Sequence, residues 1–425
     1  MQLVRLRRQA LLLTILALLP IDWFAPTGLL LRELGTKPLN LFLLICVLFF
    51  LINGKSIISV RMYRSIHIQA YLGGIIIFGT IAFIINLAFM PPLPISDRSQ
   101  FYQYIAQTSL MLLFMVVLQA LIYIFCRSDL RQRVLDFLPL VALLHLLFFL
   151  LEGIGIFTDI SPSLLSLFRT NGLIDRPSGL MSEPSYFGVF AALYAIPILF
   201  YEDRNHYIRR ALAITLLAAA VLIEAKTMFI VLGAQLLYLA TTHKPATTRK
   251  MILLVMIAAI PAGVYLTTIT SAIDLSINMS SVLRLGSNRL AWNVAADGYG
   301  LIGLGTGQFH FMYTPKFAPD FLLTSQEALD QLSGSSATRA STFNLPLRLL
   351  VESGVAGLGL AILMVFRVFW SLRNTTDRTT QTGLCFVAGS IGFLMTQDTY
   401  CLPSLAFGLA LAISGTKVSI RPNEL

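Results

Sequence analysis

The chain has 425 residues, 56% of them hydrophobic and 12% charged, with a mean hydropathy of +0.77 and a formal charge of +10. Many apolar runs approach the roughly 20 residues that carry a helix across a ~30 Å hydrocarbon core, which excludes an ordinary soluble globule. The basic residues form small clusters between apolar runs instead of one basic face with interleaved aromatics, which argues against a nucleic-acid partner and for membrane loops.

In chain order, Arg5, Arg7 and Arg8 precede the first apolar run, as in a signal sequence. The following "PIDWFAPTG" lacks the small residues of a cleavage site, so this run reads as an uncleaved span. Apolar length and Lys/Arg flanks predict spans near 10–26, 39–53, 67–90, 102–126, 134–156, 184–201, 209–223, 227–242, 251–269, 345–368, 380–397 and 400–416. The expectation is an all-α polytopic integral membrane protein, one bundle over 1–425, with about twelve transmembrane helices. With both termini cytoplasmic, the inner segments carry 20 of the 31 Lys and Arg, as positive-inside requires.

The pair at 209–242 is separated only by "EAKT" at Glu224–Thr227. A single span here would strand Glu224 and Lys226 in hydrocarbon at roughly 2.5 to 3.5 kcal/mol each and would invert every later loop. A hairpin turning at the outer face is therefore expected. In the fifth span His145 and Glu152 lie seven residues apart on one face, where polar groups normally point into a bundle. Interhelical hydrogen bonding is the first reading and a proton path the second.

Two outer segments stand out, 157–183 and the long 270–344, and a loop of the latter's length in a compact bundle is usually functional. "GYGLIG" at Gly298–Gly303 matches a dinucleotide fingerprint, but no strand is expected before it, so it reads as a Gly-rich turn. "GKS" at Gly54–Ser56 lacks the first P-loop glycine, because position 49 is Phe49. The cysteines Cys46, Cys126, Cys385 and Cys401 show no C-x-x-C spacing and read as small core residues. Neither a His/Cys cluster nor a D-x-D pair is present, so no metal and no cofactor is expected. Any diphosphate handled here would have to be neutralised by side chains, for which the bidentate arginine fork is suited.

The outer segments hold such arginines: Arg169, Arg176, Arg284, Arg289, Arg339 and Arg348. The stretch "RPSGLMSEPSYFG" at Arg176–Gly188 gathers an arginine, serines, a glutamate and prolines at the start of an apolar helix. Ser182 can cap that helix, and Glu183 in its first turn either satisfies the helix end or serves as a carboxylate able to take a proton. His310, in "GTGQFHFMY", is the outer-side histidine.

Arg176–Gly188, "SNRLAWN" at Ser287–Asn293, "GLGTGQF" at Gly303–Phe309 and "STFNLPLRLLVESGVAGL" at Ser341–Leu358 together resemble the successive landmarks of the Wzy-type polysaccharide polymerase and O-antigen ligase superfamily. The second half of the chain carries the resemblance; the first half shares only the helix count. It implies a metal-independent glycosyltransferase of the bacterial inner membrane, working at the periplasmic face on undecaprenyl-diphosphate-linked donor and acceptor glycans. A separate chain-length regulator in the same membrane is a further implied partner. The resemblance implies that Arg176 and Arg289 hold the donor diphosphate, with Arg169, Arg284 and Arg339 as further basic contacts and Glu183 or His310 as the base. The ligase branch has a histidine where Phe343 precedes Asn344 here, which favours polymerase over transfer to lipid A core. A lipid-linked oligosaccharide flippase is the expectation from a different class; paired half-repeats, its usual mark, are not evident.

Overall fold

The computed structural model describes residues 2–24, 37–52, 66–89, 99–126, 128–158, 177–201, 206–242, 279–324, 329 and 341–415. These are helical with short connecting turns, and no strand occurs among the described residues. The principal helices are α1 (Gln2–Leu18), α2 (Pro38–Ile52), α3 (Ile66–Phe89), α4 (Gln100–Phe125), α5 (Ser128–Thr158) and α6 (Pro184–Tyr201). They continue with α7 (His206–Leu222), α8 (Thr227–Thr242), α9 (Met279–Val294), α10 (Leu345–Leu372), α11 (Arg378–Leu394) and α12 (Pro403–Ser414). Apart from the first, at 10–26, and from 251–269, which lies outside the described residues, each predicted span overlaps most of one helix.

Four helices, α3, α4, α5 and α10, are long and apolar enough to cross a membrane. Their outward faces suit hydrocarbon and not water: α5 exposes Leu140, Leu143, Leu147 and Leu150, α3 exposes Ile77, Ile81 and Ile84, and α10 exposes Val355, Ile362 and Phe366. The core lies around α6, α11 and α12. Close approach there depends on glycine: a Cβ on Gly383 of α11 would stand 2.5 Å from the Ala412 nitrogen and 2.8 Å from the Gly408 oxygen of α12. Small residues that let backbones touch are the usual means of packing apolar helices where lipid supplies no hydrophobic drive.

The first span differs from expectation. Its helix already runs from Gln2 and ends at Leu18, because Pro20 disfavours helical geometry in the residue before it and cannot donate to the ladder. Residues 21–24 leave the helix and bring Asp22 to one end of the bundle. The hairpin reading of 209–242 holds: α7 ends at Leu222, Glu224 turns the chain with φ 55°, and the Thr227 hydroxyl donates to the Ser185 carbonyl at 3.0 Å.

The described helix ends fall into two groups. The Arg8 guanidinium near the start of α1 pairs with Asp129 at 3.3 Å, and Arg131 reaches Asp377 and Thr380 at the start of α11. The last turn of α12 closes on the same side, where Gly415 abuts Arg131. Residues 19–24, 177–186, 223–227, 341–344 and 395–402 gather at the opposite end.

At that opposite end the chain does something composition does not announce. After α9, a π-helical turn (Ala295–Tyr299) and one α-turn (Gly300–Ile302) lead into an irregular strip, 303–308, that is wholly buried. The strip lies in a break in α10, where Gly354 takes φ 68°. The break frees two carbonyls of α10, and the loop fills them: Leu304 N–H donates to Val351 and Gly305 N–H to Glu352, both at 2.8 Å. Across the strip, Thr306 N–H donates to the Gly79 carbonyl of α3 at 3.4 Å, and the Asn86 amide donates to the Gly303 carbonyl at 2.9 Å. Gly305 admits no other residue, since φ is 106° and a Cβ would stand 2.6 Å from Phe83 Cα. Gly79 lies ten residues, about 15 Å, from the end of α3. The strip therefore reaches about halfway down a membrane-length helix, a depth at which irregular backbone is tolerated only when protein covers it.

Candidate functional site

Two carboxylates pin the motif that opens α6. Glu152 of α5 accepts from the backbone N–H groups of Ser178 at 2.8 Å and Gly179 at 2.5 Å, which holds the turn before the helix. Asp22 accepts from the Ser182 N–H at 2.9 Å and from its hydroxyl. Ser182 is therefore not the helix cap; α6 starts at Pro184, and a charged acceptor has captured the serine. Glu183 is left exposed at the helix start, accepting only from the Ser185 hydroxyl at 3.2 Å among the described contacts. Just below, Tyr186 is half-buried, lines the same small cavity as Asp22 and sets its ring 5.6 Å from that of Phe393.

The second half of the site is built by the segment that leads into α10. Asn344 caps that helix by accepting from the Leu347 N–H at 3.1 Å. Phe343 before it takes φ 51°, a left-handed backbone rare for a bulky residue. Asp398 fixes that corner: its carboxylate accepts from the Ser341 hydroxyl at 2.8 Å and the Thr342 N–H at 2.9 Å. The Arg284 guanidinium of α9 lies 5.6 Å over the Phe343 ring, so a cation meets a carbon face there.

Beneath this corner lies a buried polar network. Arg348 is 2% exposed and donates to Glu352 at 3.2 Å, to the Asp398 carbonyl at 2.6 Å and to the Gln107 side chain of α4 at 2.9 Å. Glu352 also accepts from the Gly307 N–H at 2.7 Å and the Tyr400 hydroxyl at 2.5 Å. One ion pair thus ties α10, α4, the inserted 303–308 strip and the α11–α12 connection together.

Of the residues expected at the site, Glu183 is exposed at the start of α6 and Arg284 covers Phe343 ahead of α10. Arg289 is exposed on a different face of α9 from Arg284. His310 is half-buried in a 3₁₀ turn, its ring 5.5 Å from that of Phe311, within the small core of Leu290, Phe309, Met312 and Tyr313. Arg169, Arg176 and Arg339 lie outside the described residues. Sequence reasoning missed Asp22, Tyr186, Glu352, Asp398 and Tyr400. Only Glu352 left a readable signal, as the i+4 partner of Arg348 in an otherwise apolar helix. His145 and Glu152 form interhelical bonds, His145 to the Ala17 carbonyl at 3.0 Å and Glu152 to the 178–179 turn.

A cavity of about 40 Å³ runs beside Tyr186 between Asp22, Lys37, Phe190, Phe393 and Leu402, enough for two or three water molecules and too small for a sugar. Among the described residues no group of three or more His, Cys, Asp or Glu side chains is placed to hold a metal ion. The chain matches no protein-family model, no curated protein and no solved structure. What the arrangement offers chemically is an exposed carboxylate at the start of α6 and a guanidinium over Phe343 ahead of α10, on helices whose outer faces suit lipid.

Proposed function

We propose that the protein is a polysaccharide polymerase of the bacterial inner membrane, with about twelve spans and with the Glu183–Tyr186–Arg284 end facing the periplasm. One observation carries the reading: sequence landmarks distant in the chain are packed on one another. Gly307 of the third donates to Glu352 of the fourth, and Arg284, just before the second, covers Phe343 of the fourth. A substrate that is polar at one end and lipid at the other would meet such a site from the bilayer.

In this reading a growing glycan is transferred from its lipid diphosphate to a sugar hydroxyl of an incoming lipid-linked repeat unit. The acceptor oxygen attacks the anomeric carbon, the bond to the diphosphate oxygen breaks, and the lipid diphosphate leaves. Arg176 and Arg289 hold the diphosphate and stabilise the charge growing on it, the electrostatic role that is usually the largest in such transfers. The acceptor proton passes to Glu183 or directly to water. Phe343 supports polymerase over ligase, because it has no titratable atom.

A glycan gel tests this on cells lacking the gene, beside cells complemented with the wild type and with Arg289→Ala. Collapse of polymer to single repeat units in both the deletion and the variant is expected. Loss of surface glycan with long lipid-linked polymer retained would indicate a ligase instead, and single units held on the cytoplasmic side would indicate a flippase.

A further inference from the structure

Within the described part of the large outer segment, one face is covered by neither its own core nor the described bundle helices. On α9, Leu283, Leu290, Ala291 and Val294 are buried against 309–322. Leu285, Arg289 and Trp292 are exposed at i, i+4 and i+7, one stripe of the helix. Beyond the kink at Gly298, Leu301 is 72% exposed and Ile302 57% exposed. In a water-bathed loop these side chains would form an exposed apolar surface with no compensating contact.

Their depth says what covers them. A Cβ on Gly354 would lie 2.5 Å from the Leu301 carbonyl oxygen and 2.8 Å from that of Ile302, so these two residues sit level with Gly354. The next residue of α10, Val355, is 56% exposed and begins the helix's lipid-suited face. The buried strip that follows contacts Gly79, near the midpoint of α3. The exposed stripe is thus continuous with the apolar belt of the bundle. Before the kink at Gly298, α9 lies toward the end of the bundle where its Arg284 covers Phe343 ahead of α10, so Trp292 stands higher than Leu301. Arg289 stands one turn above that. Asp297, the charge on the descending stretch, is neutralised by Lys316 at 3.0 Å.

We propose that α9 and its continuation to Ile302 form an arm that dips into the bilayer, with Leu301 and Ile302 in hydrocarbon, Trp292 at its boundary and Arg289 among the headgroup phosphates. The order apolar, tryptophan, arginine along one face matches the order of hydrocarbon, interface and phosphate layer. The segment 279–308 is then a membrane element inserted from outside. This holds whatever chemistry the bundle performs.

The chain has three tryptophans, and Trp23→Phe with Trp370→Phe leaves Trp292 as the reporter. The full-length variant is reconstituted into phosphatidylcholine vesicles with and without bromine on the acyl chains. Brominated lipid is expected to lower Trp292 emission about twofold while iodide in the buffer leaves it unchanged, as for an interfacial indole. Iodide quenching without bromolipid quenching would overturn the proposal. Should the double variant fold poorly, the difference between the parent and Trp292→Phe gives the same reading. Independently, Arg289→Cys should react with a membrane-impermeant maleimide added outside and Leu301→Cys should not until the vesicles are dissolved. Equal labelling of both positions would also overturn it.

Discussion

Replacing Glu352 by Gln tests whether one ion pair holds the inserted strip in the broken helix. The glutamate accepts three hydrogen bonds, from Arg348, the Gly307 N–H and the Tyr400 hydroxyl, and both members of the pair are almost wholly buried. Glutamine keeps the shape but loses the charge, and its amide nitrogen accepts nothing. Arg348 would keep the Asp398 carbonyl and the Gln107 oxygen, with the Asp398 carboxylate at 3.8 Å as its nearest counter-charge. Breaking a buried pair from one side costs about 3–5 kcal/mol, and the nearby Asp398 argues for about 3. Arg348→Met leaves Glu352 with two donors and should cost a similar amount. The double variant buries no unpaired member of the pair, so its cost should fall short of the sum by about 1 kcal/mol or more. Reversible unfolding in mixed micelles measures all four proteins. A Glu352→Gln cost within about 0.5 kcal/mol of zero, or strict additivity, would refute the reasoning.

Gly305→Ala should expel the 303–308 strip, because its Cβ would meet backbone of α3 that cannot yield; protease should then cleave within 279–324 while the spans stay intact, and unchanged cleavage would refute this. At Asp377, burial raises the carboxyl's pKa, but hydrogen bonds from Thr380 and Arg131 outweigh it and hold it below its ordinary value. Its stabilisation is therefore present above the ordinary carboxylate pKa of about 3.9 and is lost as pH falls through the lowered value. Asp377→Asn should be less stable at neutral pH and should lose less on acidification, so parallel unfolding curves from neutral to acid pH would count against it. Glu183→Gln should leave stability within about 0.5 kcal/mol, since the side chain is exposed, yet cut polymer formation sharply. Full polymer in that variant would restrict Glu183 to the helix end.

The helices were legible because their signal is local. Runs of apolar residues and clustered Lys and Arg place α3 or α10 almost to the residue, and the same reading found the turn at Glu224. The start of α6 was half legible. Pro184 marks it in the sequence, but Ser182 serves Asp22, a partner 160 residues away that no local pattern names. Among the site residues, arginine was easy to single out by its rarity on the outer side. Asp22, Asp398 and Tyr400 were not, because each matters only through a neighbour distant in the chain.

The sequence by itself determined an all-helical, lipid-suited chain and a set of polar landmarks, since hydrophobic length acts through each residue's own transfer between water and an apolar phase. Only the tertiary structure decided that Gly303–Gln308 is buried inside the bundle and that Arg348 is a core residue. It also decided that Arg284 and Arg289 part company on α9. Those outcomes depend on which carbonyls a broken helix leaves open and which distant backbone reaches them, and that is settled by packing.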